Sequence, residues 1–245
     1  MEWIRPAERG DLLIFRDRAE AGRRLAEKLR QYAKRPDVLV LALPRGGVPV
    51  AYEVARALAA PLDVFLVRKL GFPGQEELAM GAIASGGARV LNTSLLRRLH
   101  VPTETVDAIA AKELRELERR EEAYRGAHAL PSVRGKTIIL VDDGLATGAS
   151  MHAAAAALRR QEPARIVVAV PVGAPSTCED FGAIVDEVVC AEMPEPFVAV
   201  GQWYDDFSQT TDDEVRELLR RARAERPAAR IRETSPAGRK GASHF

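Results

Sequence analysis

The chain has 245 residues, 47% of them hydrophobic and 29% charged, with a formal net charge of +1. That length supplies one full α/β core with a small appendage, and no apolar run approaches the ~20 residues needed to cross a bilayer. The start Met1-Glu2-Trp3-Ile4-Arg5-Pro6 lacks the basic opening and apolar run of a secretory signal, so a soluble protein in the cytoplasm is expected.

The elements follow in chain order. Asp17 to Tyr32 places Ala21, Leu25, Leu29 and Tyr32 on one helical face, which predicts a helix packed on a sheet. Val38 to Leu43 is an apolar strand, followed by Pro44-Arg45-Gly46-Gly47-Val48 and a helical stretch from Pro49 to Ala60. Gly46-Gly47 opens the backbone to an anion, and Arg45 suits a bidentate phosphate contact. Asp63 to Gly71 reads as one strand ending in two cations, Arg68 and Lys69; neighbours on a strand face opposite ways, so only one need point into a site. Gly71 to Gly87 is rich in small residues and suggests a mobile lid, while Gly86-Gly87 between Ala82-Ile83-Ala84 and Arg89-Val90-Leu91 suggests a hairpin. Thr103 to Tyr124 is a long scaffold helix with Val106, Ala110, Leu114 and Leu117 at helical spacing, and Glu116 to Arg120 makes an i,i+4 pair on its outer face.

Thr137 to Val141 is an apolar strand of the kind buried on both faces of a parallel sheet. It runs into Asp142-Asp143, then into Gly144-Leu145-Ala146-Thr147-Gly148-Ala149-Ser150 and an Ala-rich helix from Met151 to Arg160. Loop N–H groups and a helix N-terminus offer positive partial charge to a phosphate, and ionised carboxylates accept hydrogen bonds from vicinal hydroxyls. A ribose 5-phosphate presents both. A nucleoside-triphosphate P-loop is excluded, because Ala149 stands where a Lys is required.

Arg165 to Val172 and Glu187 to Cys190 read as further strands, with capping boxes at Ser176-Thr177-Cys178-Glu179 and at Thr211 to Glu214, the latter opening a helix to Ala224. The alternation predicts a doubly wound parallel sheet with ligands at the carboxyl ends of its strands, where Pro44 to Val48, Arg68-Lys69 and Asp142 to Ser150 all fall. Cys178 and Cys190 have no metal-like spacing and are expected to be reduced and structural; His152, near the loop, is expected to play no catalytic part. Residues 226–245 carry a net charge of +4 and few apolar residues, which predicts a flexible basic tail.

The segment 137–150 resembles the phosphoribosyl-diphosphate (PRPP) signature of type I phosphoribosyltransferases, with Gly144 where many members carry an aliphatic residue. The resemblance implies an α/β, doubly wound parallel sheet of that kind with a small hood subdomain. The expected domain spans 1–225, with a core over about 15–172 and a hood over about 173–225 that could include N-terminal residues. It implies that Asp142 and Asp143 hold the ribose hydroxyls, that Gly144, Leu145, Ala146, Thr147, Gly148 and Ser150 hold the 5-phosphate, and that Arg45, Gly46, Gly47, Arg68 and Lys69 hold the diphosphate, with Lys69 favoured over Arg68. Asp142, Asp143, Arg45 and Lys69 would then serve the reaction itself. Mg2+ would come with PRPP, within reach of Asp142 and Asp143.

Glu195 to Phe207 looks like the hood strand of purine members of the family, which implies Phe197 stacked on a base, with Trp203 and Tyr204 as rivals for that role and Val198 and Asp205 at the base's edge; packing of all three aromatics within the hood is the alternative. No Lys or Arg lies between Ile166 and Val215, which predicts a neutral or acidic acceptor pocket and an amine-bearing acceptor. The implied function is Mg-dependent transfer of phosphoribosyl from PRPP to a nitrogenous base or amine. A PRPP- or nucleotide-binding regulator and a module working beside a separate hydrolase or transferase are alternatives. Family habit implies a homodimer; neither a membrane nor nucleic acid is an expected partner.

Overall fold

The structure, a computed structural model describing residues 14–126 and 128–225, begins with α1 (Arg18–Lys28), β1 (Val38–Ala42), α2 (Gly47–Leu58), β2 (Leu62–Val64) and β3 (Val67–Phe72). It continues through β4 (Gln75–Ala84), β5 (Ala88–Leu91), α3 (Thr93–Arg98), α4 (Thr103–Arg125), β6 (Thr137–Val141) and α5 (Ala149–Arg159). It closes with β7 (Arg165–Val172), α6 (Pro175–Phe181), β8 (Glu187–Glu192) and α7 (Asp212–Ala224). The basic tail expected over 226–245 lies outside the described residues.

A parallel sheet ordered β2-β1-β6-β7-β8 forms the core. Its strands are apolar throughout because helices cover both faces, and side chains two apart share a face. Val38, Val40, Ala42, Ile139, Val141, Val167 and Ala169 pack on one side with residues of α1, α2, α4 and α7. Leu39, Leu41, Ile138, Leu140, Ile166, Val168 and Val170 pack on the other with α5 and α6. The predicted doubly wound sheet is therefore present. The stretch after 172, expected in the hood, first contributes β8 to this sheet beside β7.

The predicted strand Asp63 to Gly71 is two strands. β2 ends at Val64 in the core sheet, and after Phe65 and Leu66 the chain enters β3, which pairs antiparallel with β4 in a separate sheet ordered β3-β4-β5. Phe65 and Leu66 are both buried, so the apolar run continues across the passage and gives no break in the pattern. The glycine-rich stretch is built as two hairpins: Pro73-Gly74 joins β3 to β4, and Gly86-Gly87 joins β4 to β5 with Ile83 opposite Arg89 as the pattern predicts. Fully buried Ser85 fastens this small sheet to the core, exchanging hydrogen bonds with Leu66 and accepting one from Gln161 at 2.9 Å.

Helix ends follow their caps. Asp17 caps α1 by accepting from the Glu20 N–H, and Thr211 with Glu214 forms the predicted capping box of α7. The capping box predicted at 176–179 does not form. Pro175 occupies the first helical turn and Ala174, with no side-chain oxygen, is the cap. Among the described residues no helix is long and apolar enough to cross a membrane.

The end of α4 is tied down by charge. Arg125, with 3% of its side chain exposed, donates to Asp63 Oδ1 at 2.8 Å and to the Val64 carbonyl at 2.6 Å, and pairs with Glu121 one turn back at 2.9 Å. Truncation would leave Asp63 buried without its partner, which typically costs about 3–5 kcal/mol. Arg125→Met is expected to lose stability on that scale in urea unfolding; a loss below about 1 kcal/mol would show that this tie is dispensable.

Candidate active site

The acidic pair sits where β6 ends, in parallel register with β1, so the loops after both strands meet. Gly46 and Gly47 are needed for that meeting. A Cβ at Gly46 would collide with the Asp143 carboxylate, and one at Gly47 would lie 2.8 Å from the Val141 carbonyl and 2.9 Å from Asp142 Cα. The glycines thus admit the carboxylates themselves, a tighter requirement than the anion access read from the sequence. The Pro44–Arg45 peptide between strand and glycines is cis.

Asp142 Oδ1 accepts the Asp143 N–H at 2.9 Å, and Asp143 Oδ2 accepts from Arg18 Nε at 2.9 Å. Burial pushes the Asp142 carboxyl well above its ordinary 3.8, and the neighbouring Asp143 charge pushes it further. Burial also raises Asp143, against the pull of Arg18.

The turn that follows is braced on both sides. Leu145 N–H donates to the Val172 carbonyl and the Leu145 carbonyl accepts from Ala174, each at 2.9 Å, while Thr177 Oγ1 donates to the Ala146 carbonyl at 2.7 Å. Gly148 has φ 71 and caps α5, and a Cβ there would meet Phe181 at 2.5 Å. The α5 N-terminus therefore stands at the end of a held loop, its first N–H groups free of intrahelical partners. Thr147, Ala149 and Ser150 are exposed around it. Gly144, the departure from the resembling signature, touches the hood: a side chain there would strike Val200.

A cavity of about 200 Å³ joins these loops to β3 and α4, with Arg45, Arg68, Arg120, Tyr124, Asp142 and Ser150 in its wall. Arg45 lies 3.9 Å from Asp212 of α7, and Arg68 pairs with Glu113 of α4 at 2.5 Å. Lys69 is exposed and does not line this cavity; it faces a second one under the β3–β4 hairpin with Arg68 and Lys112. Arg120 and Tyr124 fall in the stretch that the sequence marks as scaffold, because their helix face gives no sequence sign of a cavity.

The stretch Glu195 to Phe207 is irregular, with one short 3-10 turn at Val200–Trp203, where a strand was expected. Its order comes from the N-terminal segment: Phe15 N–H donates to the Trp203 carbonyl, and Asp205 and Asp206 N–H donate to the carbonyls of Phe15 and Arg16, at 2.8–2.9 Å. Phe197 stacks on buried Trp203 with centroids 6.5 Å apart, so Trp203 is core and Phe197 its partly exposed cover. Val198 is 71% exposed and Asp205 exposed.

The hood also receives a cation. Arg18, from α1, lies 4.1 Å over the Phe207 ring, donates to the Ser208 carbonyl at 2.7 Å and reaches Asp143, while Tyr204 OH donates to the Asp143 carbonyl at 2.5 Å. The expected cation-free pocket is corrected on this point. The sequence window from 166 to 215 omits an arginine that arrives from α1, 125 residues before its partner. His152 is exposed, its ring edge-on to Phe181. Cys178 and Cys190, expected to be reduced, form a disulfide between α6 and β8 with Cα atoms 6.9 Å apart, because α6 folds back over the strand end.

Comparison with known proteins gives one answer. Residues 9–206 match the family model described as phosphoribosyl transferase domain. Two curated relatives from Mycobacterium tuberculosis, both with phosphoribosyl transferase in their names, are 48% identical over 209 residues, covering 85% of this chain and 47% of theirs. The chain thus spans about half the length of these relatives. The crystal structure of TT1426 from Thermus thermophilus superposes with a TM-score of 0.75 at 45% identity, covering 84% of this chain and 97% of that one.

The raised carboxyl of Asp142 carries a sign. Its proton is held more tightly in the folded than in the unfolded protein, so the ligand-free fold loses stability as pH climbs above 3.8 through the folded value. Asp142→Asn escapes that loss while keeping an oxygen for the Asp143 N–H. Its thermal midpoint is expected to exceed the wild type by more at about pH 8 than at about pH 4.5. An equal gain at both, or a loss at the higher pH, would refute buried like charge as a destabilising feature.

Proposed function

We propose a reaction for this chain from a premise that the comparisons establish: it belongs to the phosphoribosyltransferase family of glycosyltransferases. The reaction is transfer of the 5-phosphoribosyl group from PRPP to a nitrogenous base or amine. The observation that carries it is the juxtaposition of an enclosed acidic pair, a braced turn opening α5, and Arg45 and Arg68 in one cavity with Asp142. A sugar bearing hydroxyls, a 5-phosphate and a diphosphate matches those three features.

In this reading Asp142 and Asp143 accept hydrogen bonds from the ribose hydroxyls and offset positive charge that develops on the sugar. The turn 144–150 binds the 5-phosphate through loop N–H groups and hydroxyls, with Thr147 and Ser150 exposed for it. The bond from the anomeric carbon to diphosphate oxygen breaks and a bond to the acceptor nitrogen forms. Diphosphate leaves with the electron pair and the nitrogen sheds a proton. Arg45, with Arg68 from β3, stabilises the leaving charge, whereas Lys69, favoured over Arg68 from the sequence, faces the other cavity and has no part in this grip.

Mg2+ fits this site as an ion carried by the substrate. Two adjacent carboxylates, one already paired with Arg18, suit an ion that draws its other ligands from phosphates and water. When bound it neutralises charge on the diphosphate, with Asp142 and Asp143 as the protein's contribution.

Phe197 and Val198 offer the acceptor an apolar surface, with Asp205 and Trp203 nearby in sequence. The hood stretch's own charges are the acids Glu195, Asp205 and Asp206, and Arg18 is engaged by Asp143 and Ser208, which favours an amine-bearing acceptor over a 6-oxopurine. Turnover of hypoxanthine or guanine with diphosphate release would overturn that choice.

Calorimetry with PRPP and Mg2+ tests the site. Wild-type protein is expected to bind, and the Asp142→Asn/Asp143→Asn variant to lose at least about tenfold, the scale of one charge-assisted hydrogen bond. No binding by the wild type would defeat the reading, and binding without turnover of any amine or base would move it to a regulator that senses PRPP.

A further inference from the structure

We propose that Arg120 of α4 is a further diphosphate-binding residue, gripping the leaving group together with Arg45 and Arg68. The inference rests on the reading of the site given above and adds a group to it from a helix that the signature motifs do not touch.

Arg120 lies between two adjoining cavities. The inner one, about 200 Å³, holds Asp142, Ser150, Arg45 and Arg68. The outer one, about 240 Å³, is lined by Arg45, Arg119, Arg120, Ala123, Tyr124 and Asp212. Arg45, Arg120 and Tyr124 are common to both walls. Arg45 and Arg120 therefore both stand where the inner and outer cavities adjoin.

The face of α4 supports this. Arg120 and Tyr124 are one turn apart and so project together. Tyr124 is buried, donates to Asp212 at 2.7 Å, and its hydroxyl is pushed up to about 12 by burial and by that carboxylate. The face read from sequence as outward and solvated is therefore turned toward the site at this end of the helix. Five residues beyond Arg120, the buried Arg125 fixes α4 to Asp63 and Val64, immediately before the Phe65–Arg68 segment of the cavity wall. The guanidinium is thus carried on an anchored element.

Its present bond is a weak one to exchange. Arg120 Nε donates to Glu116 at 2.9 Å with half of its side chain exposed, a class of ion pair worth about 0–1 kcal/mol. A diphosphate offers more charge and oxygens spaced for a planar fork. The remaining N–H donors of the guanidinium are available for it without breaking the Glu116 contact.

The test is calorimetric titration of the full chain with inorganic diphosphate plus Mg2+, and separately with ribose 5-phosphate. Arg120→Gln is expected to weaken diphosphate by about tenfold or more, the value of one charge-assisted hydrogen bond, and to leave ribose 5-phosphate within about twofold. Arg120→Lys should recover part of the loss. Because the side chain is half exposed, the thermal midpoint should not move. A diphosphate affinity within about twofold of wild type, or an equal loss for both ligands, overturns the assignment while the site stands. Failure of the wild type to bind either ligand overturns the site and the assignment together.

Discussion

Two adjacent carboxylates placed in an enclosed loop are the constraint around which this molecule is arranged. Removing charge from water costs several kcal/mol per ion unless partners are supplied. The chain supplies two, the Asp143 N–H for the Asp142 carboxylate and Arg18 from α1 for the Asp143 carboxylate, and Tyr204 from the hood adds a bond to the backbone carbonyl of Asp143. It also clears space, since the two glycines after β1 are what let the pair sit against that loop. Arg18, Tyr204 and the glycine turn all come from far along the chain, so the acidic loop draws α1, the first loop and the hood onto one point. The incomplete compensation left on Asp142 is what a sugar's hydroxyls would complete.

The hood and the phosphate turn form one unit through small residues. Gly144 leaves room for Val200, Gly201 for Phe207, and Gly148 for Phe181. Phe181 belongs to α6, which also holds the turn through Thr177 and is joined to β8 by the Cys178–Cys190 disulfide. A change in the hood is thereby in contact with the turn 144–150 through Val200 and Gly144. Preorganisation of this kind would supply the near-attack geometry that the proposed transfer to a bound acceptor needs.

The strands of the core sheet and the long helices were legible because their signals are local. Continuous apolar runs mark strands buried on both faces, and the Thr211–Glu214 box marks a helix start to the residue. The acidic pair and the Gly46-Gly47 turn were legible for the same reason, each being a short run at a strand end. What escaped depends on distance or direction. Arg18 is indistinguishable in sequence from the other arginines of α1, and only folding places it beside Asp143. The division of Asp63–Gly71 into two strands is hidden because Phe65 and Leu66 stay buried while changing sheets. The hood lacks a strand because its backbone bonds go to Phe15 and Arg16, which no local pattern announces. The cysteine pairing likewise needs α6 to return over β8 before the sulfurs can meet.

The charges on the hood side and on the α4 side of the acidic loop differ in how they are held. On the hood side, the side chains of Arg18 and Asp143 are 11% and 16% exposed, and the pair is further fixed by Ser208 and Phe207. Such a pair is costly to part, so this side is set before a ligand arrives. On the opposite side, Arg45 stands 3.9 Å from Asp212 with both side chains over a third exposed, and Arg120 shares Glu116 with Arg119 in the open. Exposed pairs like these contribute little and re-form readily. Cations held this loosely are stored near their place of use without being committed to it. The leaving diphosphate of the proposed reaction would need that arrangement: it would gain partners as the bond to the sugar breaks, and lose them when the product departs. In the proposed reaction a rigid grip on the sugar and an exchangeable one on the leaving group would both follow from burial, deep at the end of β6 and shallow along α4.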